Sequence, residues 1–161
     1  MKAKISMFLL AAAMVILSSC GGKMSPTAYN QKIVSMQSAY DQLNNVMEKF
    51  YDNSVTGEEA QKLVDSLATT FDKSNKTLAE LQYPDKAAGM HEAAVTLFQY
   101  TTDSIIPLFR ETLKFEHGTD QWGEVWNKLA TDINGRGSEL EDALITEQEN
   151  FAKAANIRLE R

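Results

Sequence analysis

The sequence holds one cysteine, two histidines and three prolines among its 161 residues. A single thiol excludes a disulfide within the chain and any four-thiolate metal site. Two histidines leave little room for histidine-rich metal chemistry. No period-two run of β-branched or aromatic residues exceeds a few positions, so strands have almost no support. Basic residues are also short, 16 against 22 acidic ones, for a formal charge of −6 and a sequence pI near 4.9. That sign disfavours a general grip on nucleic acid, and none is expected as a partner. What the chain does have is 43% hydrophobic and 24% charged residues, the balance of a globular fold. Its length suits one domain.

The first twenty residues read as an address. Lys2 and Lys4 form a short positive head, and Ile5 to Leu17 is an apolar run broken only by Ser6. Thirteen residues are too few to cross a hydrocarbon core of about 30 Å as a helix. A charged head, a short apolar run and small residues behind it are the layout of a secretory signal. The small residues are Leu17-Ser18-Ser19-Cys20, and this motif resembles the lipobox of bacterial lipoproteins. The resemblance implies that residues 1–19 are a signal peptide removed from the mature chain. Cys20 then becomes its first residue and carries the lipid. Two or more acyl chains hold a protein stably on a membrane where one does not, so the expected partner of Cys20 is the bilayer itself.

Gly21-Gly22-Lys23-Met24 lacks both the aspartate after the cysteine that keeps enteric lipoproteins at the inner membrane and an acidic export tract. By resemblance this favours the outer membrane, with the domain facing the periplasm. Without Lys2 and Lys4, 14 basic residues face 22 acidic ones, a formal charge of −8. An acidic domain gains nothing overall from an anionic membrane, so the lipid must hold it there. Residues 20–25 then form a short tether, and 26–161 the domain.

Four amphipathic segments follow, expected as helices over about 26–51, 57–81, 85–116 and 121–159. Ser25-Pro26 is a cap residue followed by proline where its missing N–H costs nothing. Tyr29, Ile33, Met36, Tyr40, Leu43, Met47 and Phe50 then recur at alternating four and three. Thr56 with Glu59 predicts a capping box before the stripe of Ala60, Val64, Leu67, Phe71, Ser74, Leu78 and Leu81. The third segment includes Met90, Ala94, Leu97 and Ile105, with Pro107 predicting a kink one turn earlier. The fourth includes Trp122, Trp126, Leu129, Ile133, Leu140, Leu144 and Phe151. Gly135 and Gly137 interrupt its propensity, but Ile133 and Leu140 are seven apart, which favours one helix, bent or straight, over two. Short connections make sequential helices antiparallel. The expected fold is therefore all-α, an up-down-up-down four-helix bundle behind the signal peptide. A three-helix core with a loosely docked first helix, or an open helical array, are the alternatives. In general character it resembles the helical-bundle lipoproteins of Bacteroidetes-type bacteria.

Chemistry that helical bundles often carry finds few residues here. Neither His91 nor His117 has the glutamate three positions earlier that a di-iron carboxylate site requires. No C-x-x-C-H is present for covalent haem. Gly89-Met90-His91 starts like the G-x-H-x-x-E motif of imelysin-like proteins, but Ala94 stands where the glutamate belongs. Asp132-Ile133-Asn134-Gly135-Arg136-Gly137 imitates half a calcium loop and then presents Arg136 and Ala143 at ligand positions. No cofactor, metal or nucleophilic catalysis is expected, and the chain reads as non-enzymatic. Asp65-Ser66-Leu67 and Asp103-Ser104-Ile105 resemble the short O-glycosylation acceptor of Bacteroidetes, a pattern that also recurs by chance. Glu139, Glu141, Asp142, Glu147 and Glu149 form an acidic run, a solvated face or a docking face for a basic partner.

One constellation stands out. In an up-down bundle Phe50, Tyr51, Phe109, Phe115, Trp122 and Trp126 gather at the end away from the lipid, with His117, Glu111 and Arg110 as polar neighbours. Aromatics on a helical stripe fill a core end or, if exposed, make a docking tip. The expected function is binding of an envelope protein through this tip or the acidic face. The alternative is a periplasmic carrier or sensor holding a small molecule or metal between the helices.

Overall fold

Ser25 and Pro26 start the first helix as their residue types dictate. The Ser25 hydroxyl accepts from the Ala28 N–H at 3.3 Å, and Pro26 fills the first position. The computed structural model describes residues 23–159; the expected signal peptide and the Cys20 motif lie outside them. Over that range the chain forms an all-α, four-helix bundle of antiparallel rods, with no strand among the described residues. The first rod is α1 (Pro26–Gln37) and α2 (Ala39–Tyr51), the second α3 (Gly57–Glu80). The third is α4 (Ala88–Tyr100) and α5 (Ile106–Thr112), entered through a 3₁₀ turn at Asp85–Ala87. The fourth is α6 (Asp120–Asp132) and α7 (Ser138–Ala155).

Most of each expected stripe is buried, with Trp122 and Trp126 of the fourth rod only half-buried. Ile33, Leu43, Val64, Leu67, Phe71, Met90, Ala94, Leu97, Phe109, Leu129, Leu144 and Phe151 all lie in one continuous core. Tyr29 and Ile33 are fully buried, so the first helix is an integral part of that core and not a loosely docked one. At the centre Tyr40, Phe71 and Phe98 meet in a ring cluster, Tyr40 edge-on to both at 5.1 and 5.4 Å. The Tyr40 hydroxyl bonds Thr101 Oγ1 at 2.9 Å and donates to the Leu97 carbonyl at 3.3 Å. Burial pushes that phenol's pKa well up, which keeps it neutral and hydrogen-bonded.

The rods depart from straight α-helix at three places, each with a local cause. Ser38 interrupts the first rod for one residue, its hydroxyl donating to the Ser35 carbonyl at 2.8 Å. Such back-bonding competes with the helical ladder. In the third rod a π turn at Thr101–Ile105 precedes Pro107, and the Ile106 N–H reaches five residues back to Thr101. The expected kink takes this form: one extra residue makes room for the proline ring and its missing donor. In the fourth rod a second π turn, Ile133–Gly137, carries the helix through both glycines without ending it. The Tyr100 hydroxyl donates to the Asp132 carbonyl at 3.4 Å, tying the two widened turns together.

Three expectations about helix ends change, the first at α7, which stops at Ala155, short of 159, where Asn156 turns left-handed at φ +54. The Thr56 side chain makes no cap bond, so the capping box does not form. Gly57 enters the helix from φ +53, which redirects the chain just after Thr56. The third rod stops at Thr112, short of 116, because the turn through Gly118 at φ +83 must reverse the chain before Thr119. Thr119 then caps α6, accepting from the Trp122 N–H at 3.3 Å.

Candidate functional site

At the end where α2 and α5 finish and α6 begins, the aromatic residues separate into two layers. Phe109 is fully buried and Phe50 nearly so; they meet edge to face at 5.5 Å and close the core. Above them Trp122 and Trp126 stand one turn apart on α6 and stack at 5.1 Å with planes only 10° apart. Tyr51 flanks Trp126 at 6.1 Å, and the His117 ring lies 4.3 Å from Trp122. The order Tyr51, Trp126, Trp122, His117 is a ladder drawn from the end of α2, the start of α6 and the turn between α5 and α6. Both tryptophans are half-buried, His117 is exposed, and Tyr51, at 59%, is the most exposed large hydrophobic residue among the described residues. Phe115 is half-buried in the turn rather than on a helix and joins no ring pair among the described residues. Phe50 and Phe109 thus fill the core end, Trp126 packs half-buried against it, and Tyr51 and His117 stand open.

The polar neighbours expected at this tip have local partners. Arg110 pairs with Asp65 at 3.5 Å, and Glu111 with Lys114 at 2.5 Å. The acidic run on α7 does not form one face. Glu141 and Glu147 are half-buried while Glu139, Asp142 and Glu149 are exposed, and Glu139 pairs with Arg136 at 3.1 Å. Burial, and then neighbouring Asp142, raises the Glu141 carboxyl above its ordinary value. This helix lends the acidic-face reading little support.

The sequence reading missed a second aromatic cluster at the opposite end. There the Tyr83 ring stacks on His91 at 4.0 Å, and the Tyr29 hydroxyl shares a hydrogen bond with His91 Nδ1 at 3.1 Å. Phe151 meets Tyr29 edge-on at 5.8 Å. Tyr29 lies 62 residues from His91, so no local spacing announces the pair. The visible signal was Tyr29 at the head of its stripe and Tyr83 just before the turn proline. Burial lowers His91 below the ordinary imidazole value of 6.5. A base whose folded pKa is depressed supports the fold fully above the unfolded value and loses that support as pH falls through the folded one. Stability is thus expected to decline as pH drops from 7 toward 5, and His91→Gln to flatten that decline. Denaturant midpoints measured across this range check it; an equal slope in the variant would assign the decline elsewhere.

No three His, Cys, Asp or Glu side chains come together as a metal-holding group among the described residues. No helix among them is long and apolar enough to cross a membrane. Ser66 is exposed on α3 and accepts from Gln42 at 3.0 Å, while Ser104 is half-buried in the π turn, so both acceptor-like serines sit in helical backbone. Compared with protein-family models, with curated proteins and with solved structures, the chain matches none.

Proposed function

We propose that this chain is a lipid-anchored, non-enzymatic bundle of the cell envelope, held by Cys20 at the outer membrane with its domain in the periplasm, that binds a protein partner through the Tyr51–Trp126–Trp122–His117 ladder. The observation that carries the reading is the ladder itself: a stacked tryptophan pair flanked by the tilted rings of Tyr51 and His117, left part-open to solvent over a core end that Phe50 and Phe109 fill. Rings held by their neighbours have little freedom left to lose on binding, and tryptophan and tyrosine are the residues that most often anchor interfaces. The surrounding charge names the kind of partner. Asp52, Glu58, Glu116 and Asp120 stand against Lys114 in the segments 51–58 and 113–121, a formal −3. A segment bearing arginine or lysine fits both features, since such cations pair with carboxylates and lie over aromatic rings.

The test is photo-crosslinking in the intact envelope from a benzophenone amino acid at Tyr51, with one at exposed Lys73 on α3 as control. A discrete protein adduct from position 51 and none from 73 is the expected result. Equal labelling at both, or no adduct at 51, overturns the proposal.

A further inference from the structure

We propose that the end of the bundle carrying the tether rests directly on an anionic lipid surface, holding the rods upright with the tryptophan ladder outward. This rests on the lipid anchor proposed for Cys20. The Met24 N–H donates to the Gln82 carbonyl at 3.2 Å, and Lys23 pairs with Asp85. The chain therefore leaves the domain from the 81–86 loop, at the end face and not from a side. Only Gly21 and Gly22 separate Lys23 from Cys20. Three residue steps span at most about 11 Å, so a lipid on Cys20 brings this end face to the headgroups.

Charge sorts along the rods to match. The segments 23–26, 80–88 and 152–159 carry Lys23, Lys86, Lys153 and Arg158 against Glu80 and Asp85, a formal +2 on a domain that is acidic overall. The opposite end carries the −3 described above. Lys23 is engaged by Asp85, which leaves Lys86, Lys153 and Arg158 to meet the surface. Lys86 Nζ donates to the Ala154 carbonyl at 2.8 Å, which links the 81–86 loop to the end of α7. Basic side chains within a Debye length of anionic headgroups are attracted, and the acidic flanks are repelled. Tipping over would bring Glu139, Asp142 and Glu149 toward the same headgroups. A first rod of 26 residues then lifts Tyr51 about 39 Å above the bilayer at 1.5 Å per residue.

The core cluster lies within residues 24–157, so a chain of residues 20–161 keeps every contact described. In the experiment its only thiol, Cys20, is coupled to a maleimide-headgroup lipid in vesicles of phosphatidylethanolamine and phosphatidylglycerol bearing brominated acyl chains. Exposed Gln82 is changed to Trp in a Trp122→Phe/Trp126→Phe background, giving a single reporter at the end face. Strong quenching of Gln82→Trp, with none of the native tryptophans in the parent chain, is the expected result. The quenching should weaken, without vanishing, in phosphatidylcholine vesicles and in Lys153→Glu/Arg158→Glu, whose helicity is checked by circular dichroism. A reporter at 82 no more quenched than the native tryptophans overturns the contact. Quenching indifferent to lipid charge and to charge reversal overturns its electrostatic basis. Because the coupling is imposed chemically, the result is independent of the natural anchor. The mass of the chain purified from its own membranes tests that anchor separately.

Discussion

Phe98→Ala is expected to cost the fold about 3–5 kcal/mol, the range for emptying a fully buried aromatic site. Phe98 is 0% exposed and sits between Tyr40 at 5.4 Å and Phe71 at 5.5 Å, so its removal unseats two further rings. Its neighbourhood is also poorly able to collapse. The Phe98 carbonyl accepts from Thr102 Oγ1 at 3.2 Å at the mouth of the π turn, and Asn75 Nδ2 bonds the same Thr102 hydroxyl at 2.8 Å. Backbone pinned in this way cannot follow a shrinking side chain. Small domains are stable by about 5–15 kcal/mol in total, so the variant should lose a large share of its stability. Urea denaturation reads this as a lower midpoint with little change in slope. A loss under about 1 kcal/mol would mean that the centre is not close-packed around this ring.

The four rods were legible because burial repeats. Ile33, Met36 and Leu43, or Leu140, Leu144 and Phe151, report a face at every turn, and each of these residues is buried. Ser25-Pro26 was legible because capping is local chemistry. The π turns were harder. A stripe records which residues face inward, and Ile133 and Leu140 are both buried with an extra residue accommodated between them. Pro107 signalled trouble in the third rod but not the manner of its relief. Thr56 misled because its hydroxyl was read without the φ of Gly57, which a sequence does not print.

The candidate site shows a different limit. All of its aromatics were legible as one group, since connectivity alone sends them to one end. Their division into a buried layer and an open one was not, because a stripe fixes a face and leaves height along the axis undetermined. Leu129 is the one buried residue of α6, while Trp126 packs half-buried against the edge of the core and Trp122 stands one turn further out. His91 shows the same limit at the other end. It was weighed against metal motifs, whereas its real partners are Tyr29 from the first rod and Tyr83 from the loop leading into its own.

That overhang sets up a contrast between two kinds of aromatic truncation. Trp122→Ala and Trp126→Ala each remove a larger side chain than Phe98→Ala does. Each should nevertheless cost only about 1–2 kcal/mol of stability, because what is lost is a stacked pair and partial burial and not a filled cavity. Binding should respond in the opposite order. If the ladder anchors a partner, each truncation is expected to weaken the complex by about 2 kcal/mol or more, roughly 30-fold in Kd. The two losses should not add, since the rings hold each other in place at 5.1 Å and either truncation frees the survivor. Titration of the protein captured at Tyr51 against the single and double variants measures this, with denaturation of the same samples alongside. Stability losses as large as that of Phe98→Ala would make the tryptophans part of the core. Unchanged affinity with small stability losses would move the binding surface elsewhere. Weakened binding on an otherwise intact bundle is the outcome that an exposed, mutually braced pair of rings should give, because its stacking energy is spent on holding a shape that the fold itself does not need.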